Sequence, residues 1–285
     1  MRPVTRLIGA ELFKLRKRAM TWILLAIMIG IIVVLYLILL AISNVSLPNG
    51  RRAGDIVDLL GLAGAIPFAF SLLASFGSAL GVVLVASGVG NEYNWRTIRT
   101  VLISSESRAK LLAAKLVAMG LYVLAGLLIG VAVGFVMSLV TTAIGGYKFD
   151  FSFFTPAYAW DQFLQFWRTF YIMLPYELLA FLFAIVGRSA MPGIAVGIGV
   201  FFLEGIISAL MYVAGGWVAD IPAYLINANF SAINRLNQLP TQLGGAFGAN
   251  LNTPGIAHAA ITLAVYIVVF LVAAFYAFQK RDVTV

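Results

Sequence analysis

Six apolar stretches, each long enough to cross a lipid bilayer, constrain this chain more than any other feature of its sequence. An α-helix rises ~1.5 Å per residue, so about 20 mostly uncharged residues cross the hydrocarbon core. We predict spans at residues 22–42, 66–87, 111–140, 170–186, 192–213 and 257–278. Hydrophobic residues make up 62% of the chain and charged residues 11%, far from the composition of a soluble domain. The sequence therefore predicts an all-α membrane protein with six transmembrane helices.

Basic residues are distributed unevenly between the two ends of the predicted bundle. Fourteen of the 19 lie before the first span, between the second and third or just inside the third, in the turn after the fourth, or after the sixth. The loops at the other end are longer but carry only five, Arg51, Arg52, Lys148, Arg168 and Arg235. By the positive-inside rule, both termini are expected to be cytoplasmic in the cell membrane. The net charge of +8 then reflects topology and contact with anionic membrane lipids, and we expect no nucleic-acid partner.

The chain is expected to form a single transmembrane domain over residues 1–285. It comprises an elbow helix at 1–21, a six-span bundle at 22–278 and a cytoplasmic tail at 279–285. At 100° per residue, Ile8, Leu12 and Leu15 fall on one face of the first segment, with basic residues on the other side. This pattern favours an amphipathic helix that lies along the membrane surface. A solvated basic leader is the alternative interpretation.

Glycines recur four residues apart in three of the spans. The rows are Gly77/Gly81, Gly126/Gly130/Gly134 and Gly193/Gly197. Small residues at this spacing allow close approach of a neighbouring helix. The alternative is that glycine is simply common in membrane helices.

Two carboxylates interrupt otherwise apolar spans, Glu177 in the fourth and Glu204 in the fifth. Counted from the basic end of each span, both lie ~14–18 Å deep at helical rise, near mid-membrane. An ionisable group at that depth is costly when it faces lipid, so we expect both to face protein or water. They either line a transport pathway or join helices through a protonated carboxyl.

Residues that carry enzyme chemistry are scarce in this chain. There is no cysteine, and His258 is the single histidine, so one chain cannot assemble a zinc-type metal cluster. Motifs of the HExxH, GxSxG and GxxxxGK[ST] types are absent from the sequence. We therefore expect a non-enzymatic protein that binds no cofactor itself, with ATP and Mg²⁺ bound by a separate polypeptide if they are used.

The loop between the second and third spans is the most specific local signal. It reads GNEYNWRTIRTVLISSESRAKLLAAKL over residues 90–116. Asn91 is placed to cap a short helix that runs to about Ile103, with Glu92 near its positive end. This amphipathic coupling helix would offer a surface on which a cytosolic partner could push. A loop anchored in lipid headgroups is the alternative.

This loop resembles the permease subunits of the type-2 ABC transporter family, which are six-span exporters. The family pattern is matched by Glu92, Tyr93, Thr97, Ile98, Ser107, Arg108 and Lys115. The start is also similar, with Glu11 and Lys14 in ELFKLRKRAMTWILL, as is the ending FQKRDVTV. Glu204 has a counterpart in many family members. The chain departs from the family in Ile103-Ser104-Ser105-Glu106, which replaces the commoner small-Pro-Val run, and this departure leaves the substrate open.

The resemblance implies a homodimer, or a pair of similar permeases, in which each copy contacts a cytosolic ABC ATPase through the elbow and the first cytoplasmic loop. The residues expected to couple to the ATPase are Glu11, Glu92, Tyr93, Trp95, Arg96, Thr97, Arg99 and Arg108. The expected function is export of a lipid-like or amphiphilic substrate. Two alternatives remain, a proton-coupled secondary transporter that uses Glu177 and Glu204, and a non-transporting scaffold subunit.

Overall fold

The computed structural model describes residues 4–43, 60–94, 107–237 and 254–280. These residues form helices joined by turns, and no strand occurs among them. A short helix, α1 (Val4–Lys17), is followed after one residue by α2 (Ala19–Ser43). The next segment is continuous, with α3 (Leu62–Leu72), a π-helical turn at Leu73–Gly77 and α4 (Ser78–Asn94). A hinge-like π turn of this kind is often found at functional positions in helices.

The second half of the chain contains the remaining long helices. They are α5 (Arg108–Ile144), α6 (Pro156–Val186), α7 (Ala190–Ala214) and α9 (Ile256–Lys280). Between α7 and α9 lie a 3₁₀ helix, Gly216–Tyr224, and the short helix α8 (Ile226–Asn234). The described part of the stretch between α7 and α9 is therefore mostly helical.

In the part of the chain that the structure describes, six helices are long and apolar enough to cross a membrane, which agrees with the six predicted spans. The fourth span differs most from its prediction, because it begins at Pro156 and not at residue 170. Asp161, Gln162, Gln165 and Arg168 interrupt the apolar run there, but they do not interrupt the helix. Thr155 caps its start by accepting a hydrogen bond from the N–H of Tyr158, and Pro156 occupies the first turn, where proline is tolerated.

Two helical segments occupy the middle of the bundle. The most apolar window of α6 is 67% buried and that of α3–α4 is 56% buried, whereas the other four spans are 17–28% buried. One apolar core forms where α4, α6, α8 and α9 meet, around Val82, Tyr176, Phe230 and Leu263. A second core joins α2, α3 and α5 around Ile32, Tyr36, Phe68 and Leu127.

Glycines allow the closest contacts in the bundle. A Cβ on Gly193 would meet the carbonyl of Ala180 on α6, and one on Gly197 would meet Val82 on α4. Gly130 and Gly134 similarly pack against Leu73 and Ala69 on the second span. Gly126 makes no such close contact within the chain, since an added Cβ there finds no atom within 4 Å.

Candidate functional site

A buried cluster of charged side chains fastens α1 to the bundle. Lys115 of α5 lies at its centre, with its Nζ 2.8 Å from Oε2 of Glu11 on α1 and 2.5 Å from Oε1 of Glu92 near the end of α4. Lys14 Nζ donates to Oε1 of Glu11 at 2.7 Å and to Oε1 of Glu92 at 3.4 Å. Three separate parts of the chain therefore meet through charge-assisted hydrogen bonds.

Arg18 joins the cluster from the link between α1 and α2. Its Nη2 lies 3.8 Å from Oε1 of Glu92, and its Nη1 donates to the carbonyl oxygens of Ser87 at 3.4 Å and Gly88 at 3.1 Å. The cluster, defined as Glu11, Lys14, Arg18, Glu92 and Lys115, thus holds three cations and two carboxylates. This near balance of charge is what makes burial of the carboxylates tolerable.

The cluster excludes most solvent from its centre. Glu11 is 5% exposed, and Glu92 and Lys115 are each 2% exposed. Only the Lys14 side chain, at 36%, has substantial access to solvent. Each of the three central side chains would leave an unbalanced buried charge if its partners moved away, so their relative positions are strongly constrained.

The electrostatics of α1 follow from this geometry. Burial by itself would raise the pKa of Glu11, but the charge of Lys115 and hydrogen bonds from Lys115 and Lys14 outweigh it and hold the pKa below its ordinary value of 4.5. Burial would likewise lower the pKa of Lys14, yet its hydrogen bond to Glu11 and the charges of Glu92 and Glu11 raise it above 10.5. Both groups are therefore stabilised in their charged forms.

Acidification is expected to weaken the attachment of α1. The lowered pKa of Glu11 means that its contribution to stability is fully present above pH 4.5 and is lost as pH falls through the lower pKa of the folded protein. Unfolding of the detergent-solubilised protein, measured between about pH 5 and pH 3, should therefore depend less on pH in Glu11→Gln than in wild type. Asp161→Asn, which neutralises an exposed carboxylate on α6, is the control and should keep the wild-type slope. Equal slopes for wild type and Glu11→Gln would contradict the prediction.

The residues predicted to couple to a partner are distributed as follows. Glu11 and Glu92 lie in the cluster, Tyr93 is half-buried and packs against the first apolar core, and Arg108 is half-buried in the first turn of α5. Ser107 caps that helix by accepting a hydrogen bond from the N–H of Lys110. The predicted coupling-helix residues Trp95, Arg96, Thr97 and Arg99 lie outside the described residues, so their role stays a prediction.

Sequence reasoning did not pair the two carboxylates with their cations. Lys14 and Lys115 were interpreted as topology-setting basic residues and as parts of a family pattern, and Arg18 as one of the basic residues that set topology. The position of Lys115 could have indicated the pairing. Burying a lysine eight residues into an apolar helix costs free energy unless a carboxylate lies beside it. The acidic residues at the same end of the predicted bundle are Glu11, Glu92, Glu106 and Asp282, so the sequence offered candidate partners without selecting among them.

Glu204 makes hydrogen bonds that join three segments. Its Oε2 accepts from the hydroxyl of Tyr176 on α6 at 3.2 Å, and it also accepts from the backbone N–H groups of Ile226 and Asn227. Those two residues begin α8, so a carboxylate on α7 satisfies backbone donors that have no partner within the short helix. Such an arrangement is that of a group joining helices.

Glu177 lies in a different environment from Glu204. It is 3% exposed, it packs against Gly81 of α4, and its Oε1 hydrogen-bonds to no atom of the described residues. A Cβ placed on Gly81 would collide with this carboxyl oxygen. The two glutamates predicted to share a role therefore differ in their hydrogen bonding.

Among the described residues, no group of three His, Asp or Glu side chains is arranged to hold a metal ion. His258 instead lies 3.1 Å from the carbonyl oxygen of Ala223, with its ring against that of Tyr224. This histidine thus helps to attach the 3₁₀ helix to α9.

Six apolar helices of membrane-crossing length, with charged residues buried where α1 meets the bundle, define a multi-pass helical membrane protein. The chain belongs to the family described as "Protein of unknown function (DUF2705)", whose model matches residues 55–284. That match contains Glu92, Lys115, Glu177 and Glu204, and it begins after Glu11.

One relative is a protein of Bacillus subtilis (strain 168) named "Uncharacterized protein YhcI". It is 26% identical over 215 residues, which represent 72% of this chain and 64% of the relative. The chain therefore spans less than two thirds of the length of the relative that it matches.

Proposed function

We propose that this chain is the membrane-spanning permease subunit of an ATP-binding-cassette transporter. In this proposal it exports a lipid-like or amphiphilic substrate when a separate ATPase subunit hydrolyses ATP. The chain works as a dimer in the cytoplasmic membrane, with both termini on the cytoplasmic side. The resemblance of residues 90–116 and of both ends of the chain to type-2 permeases supports this proposal, as does the uneven distribution of basic residues.

The observation that carries the proposal is the pairing of Lys115 with Glu92 and Glu11. Glu92 and Lys115 flank the segment 95–106 along the chain, and their ion pair ties its two ends together. Glu11 adds α1 to the same unit. A force applied to that segment by a partner would therefore be transmitted to α1, α4 and α5 together.

Such a linkage is a requirement for transport driven by a separate ATPase. An ATPase can change the conformation of a permease only through contacts that differ between the two states. Glu11 and Glu92 are buried against cations of their own chain, so in this mechanism they position the coupling surface and do not themselves contact the ATPase. The direct contacts are assigned to Trp95, Arg96, Thr97 and Arg99.

Reconstitution with an ATPase tests this proposal. The full chain is purified from its native membrane, any co-purifying protein with Walker motifs is identified by mass spectrometry, and that ATPase is assayed in proteoliposomes with and without the chain. We expect stoichiometric co-purification and stimulated hydrolysis. An Arg96→Glu/Arg99→Glu variant should reduce the stimulation by about tenfold or more, since reversing interface charges costs over 1.4 kcal/mol.

The matched control is Lys280→Glu, a charge reversal at the same predicted face but at the end of α9. It should leave stimulation within about twofold of wild type. Purification of the chain without an ATPase, together with hydrolysis that is the same in its presence and absence, would contradict the proposal and favour a scaffold subunit.

A proton-coupled transporter is the second candidate, and the environment of Glu177 is the observation that favours it. A buried carboxyl whose Oε1 has no hydrogen-bond partner among the described residues is able to gain and lose a proton during a transport cycle. The same proteoliposomes separate the two candidates. Uptake or release driven by a pH gradient without ATP, and abolished in Glu177→Gln, would support this alternative.

A further inference from the structure

An apolar cleft enters the bundle beside α1. It has a volume of about 90 Å³ and lies between α2, the second span and α5, with Met173 of α6 at its inner wall. Along α2 its lining extends from Thr21 to Met28, a distance of ~10 Å at helical rise. The cleft is therefore elongated along the helix axes, which is the direction of lipid acyl chains in a membrane.

The chemistry of the cleft changes from one end to the other. Thr21 and Tyr122 are the two described lining residues with polar side chains, and the rest of the lining is aliphatic, methionine or glycine. Tyr122 marks the end next to α1, because its hydroxyl donates to the carbonyl oxygen of Leu12 at 3.3 Å. Thr21, two residues into α2, is at that end as well.

Positive charge is concentrated outside the polar end. Arg16 is exposed on α1 and lies close enough to Tyr122 to interact with it electrostatically. Lys17, the next residue, is also exposed, and its ammonium group lies 5.6 Å from the ring centre of Phe13. Both residues are exposed and neither belongs to the buried ion cluster; Arg16, through its interaction with Tyr122, is the one that lies near the polar end of the cleft.

We propose that this cleft holds a short segment of one acyl chain of an anionic phospholipid from the leaflet beside α1, with the lipid phosphate held by Arg16. The apolar wall matches the acyl chain, and the guanidinium at its mouth matches a phosphate in geometry and charge. A zwitterionic lipid offers the same chain but a weaker match to the cations. Lipid binding in this cleft requires neither an ATPase partner nor transport.

Gly126 provides a direct way to close the cleft. It lines the cavity, and a Cβ added there meets no atom within 4 Å, so a larger side chain can enter the space without displacing the protein. Gly30 on α2 is a matched control, because a Cβ there also meets no atom within 4 Å and the residue does not line the cavity. Leucine at either position replaces one helical glycine by a good helix former.

The test uses the full chain in nanodiscs that contain either phosphatidylglycerol or phosphatidylcholine. Both lipids carry an identical photoreactive acyl chain. Crosslinked peptides are quantified by mass spectrometry. In wild type, we expect labelling at Leu24–Met28 or Tyr122–Leu127 by phosphatidylglycerol, about fivefold above that by phosphatidylcholine. Gly126→Leu should abolish this labelling, and Gly30→Leu should retain it.

A second variant keeps the test informative if Gly126→Leu fails to fold. Arg16→Gln leaves the cleft intact and should remove the preference for phosphatidylglycerol, whereas Arg6→Gln, ten residues earlier on the same exposed surface of α1, should keep most of it. Equal labelling of wild type by the two lipids, or labelling that persists in correctly folded Gly126→Leu, would overturn the proposal. Neither result bears on the ATPase assay, so the two proposals fail independently.

Discussion

Replacing Lys115 with methionine is expected to lower the free energy of unfolding by about 3–5 kcal/mol. The substitution keeps most of the length and the apolar stem of the side chain, but it removes the cation that hydrogen-bonds both Glu11 and Glu92. The two carboxylates then remain buried with cations that are more exposed to solvent. Removing one partner of a buried ion pair destabilises the folded state by more than the intact pair stabilises it. The remaining charge has then lost both its partner and its hydration.

Equilibrium unfolding in mixed micelles with increasing SDS provides the measurement for Lys115→Met. Lys110→Met is the control, since it makes the same change at an exposed position five residues earlier on α5 and should change stability by less than about 0.5 kcal/mol. Removing all three central charges in Glu11→Gln/Glu92→Gln/Lys115→Met should recover most of the loss, because no uncompensated carboxylate remains. If Lys115→Met is as stable as Lys110→Met, the cluster is not a buried ion network in the membrane.

Hydropathy predicted the number of membrane helices because bilayer thickness fixes the length of each span. It could not predict where helices extend beyond the hydrocarbon. The first 14 residues of α6 are one example, since Gln165 there is 2% exposed in the folded protein although its polarity suggested a loop. Helix ends depend on caps such as Thr155 and on packing between helices, and hydropathy contains neither.

The charged cluster illustrates a second limit of sequence reasoning. Lys115 lies 104 residues from Glu11 and 23 from Glu92 in the chain, so no local periodicity relates the three. The sequence identifies each as an ionisable residue at the edge of an apolar segment, but only helix packing brings them into contact. Glu11 and Glu92 were therefore expected only to couple to another protein; the structure adds their ion pairs within the chain, and the coupling role stays a prediction.

Counting residues from the end of the span identified Glu204 as an intramembrane carboxylate, but it did not identify the groups that hydrogen-bond to it. The residue lies ten positions before the end of α7, and the chain returns along α7 through the 3₁₀ helix to bring Ile226 and Asn227 to its carboxylate. The Gly215-Gly216 pair, in which both residues have positive φ, indicates a turn at the end of α7, but it does not specify which residues are brought back to Glu204. The hydrogen bond from Tyr176 also depends on the contact between α6 and α7, which the sequence does not specify.

Glu204→Leu is expected to release the N-terminal end of α8 from α7. The substitution removes the acceptor for the Tyr176 hydroxyl and for two backbone N–H groups, and each buried donor left without a partner costs about 1–3 kcal/mol. A loss of about 3 kcal/mol in the local opening free energy corresponds to roughly a hundredfold faster amide exchange in α8. Hydrogen–deuterium exchange of peptides covering Ile226–Asn234, measured in nanodiscs, provides the readout.

Two variants separate loss of these hydrogen bonds from general damage to the bundle. Glu204→Gln keeps a carbonyl acceptor of nearly the same shape and should hold exchange in α8 within about tenfold of wild type. Glu177→Leu makes the same chemical change at the other intramembrane glutamate, whose Oε1 has no described hydrogen-bond partner, and should leave α8 as protected as in wild type. Unchanged protection of α8 in Glu204→Leu would mean that the short helix is held by its apolar contacts with α6 and α9 alone, and that Glu204 is available for a transport pathway after all.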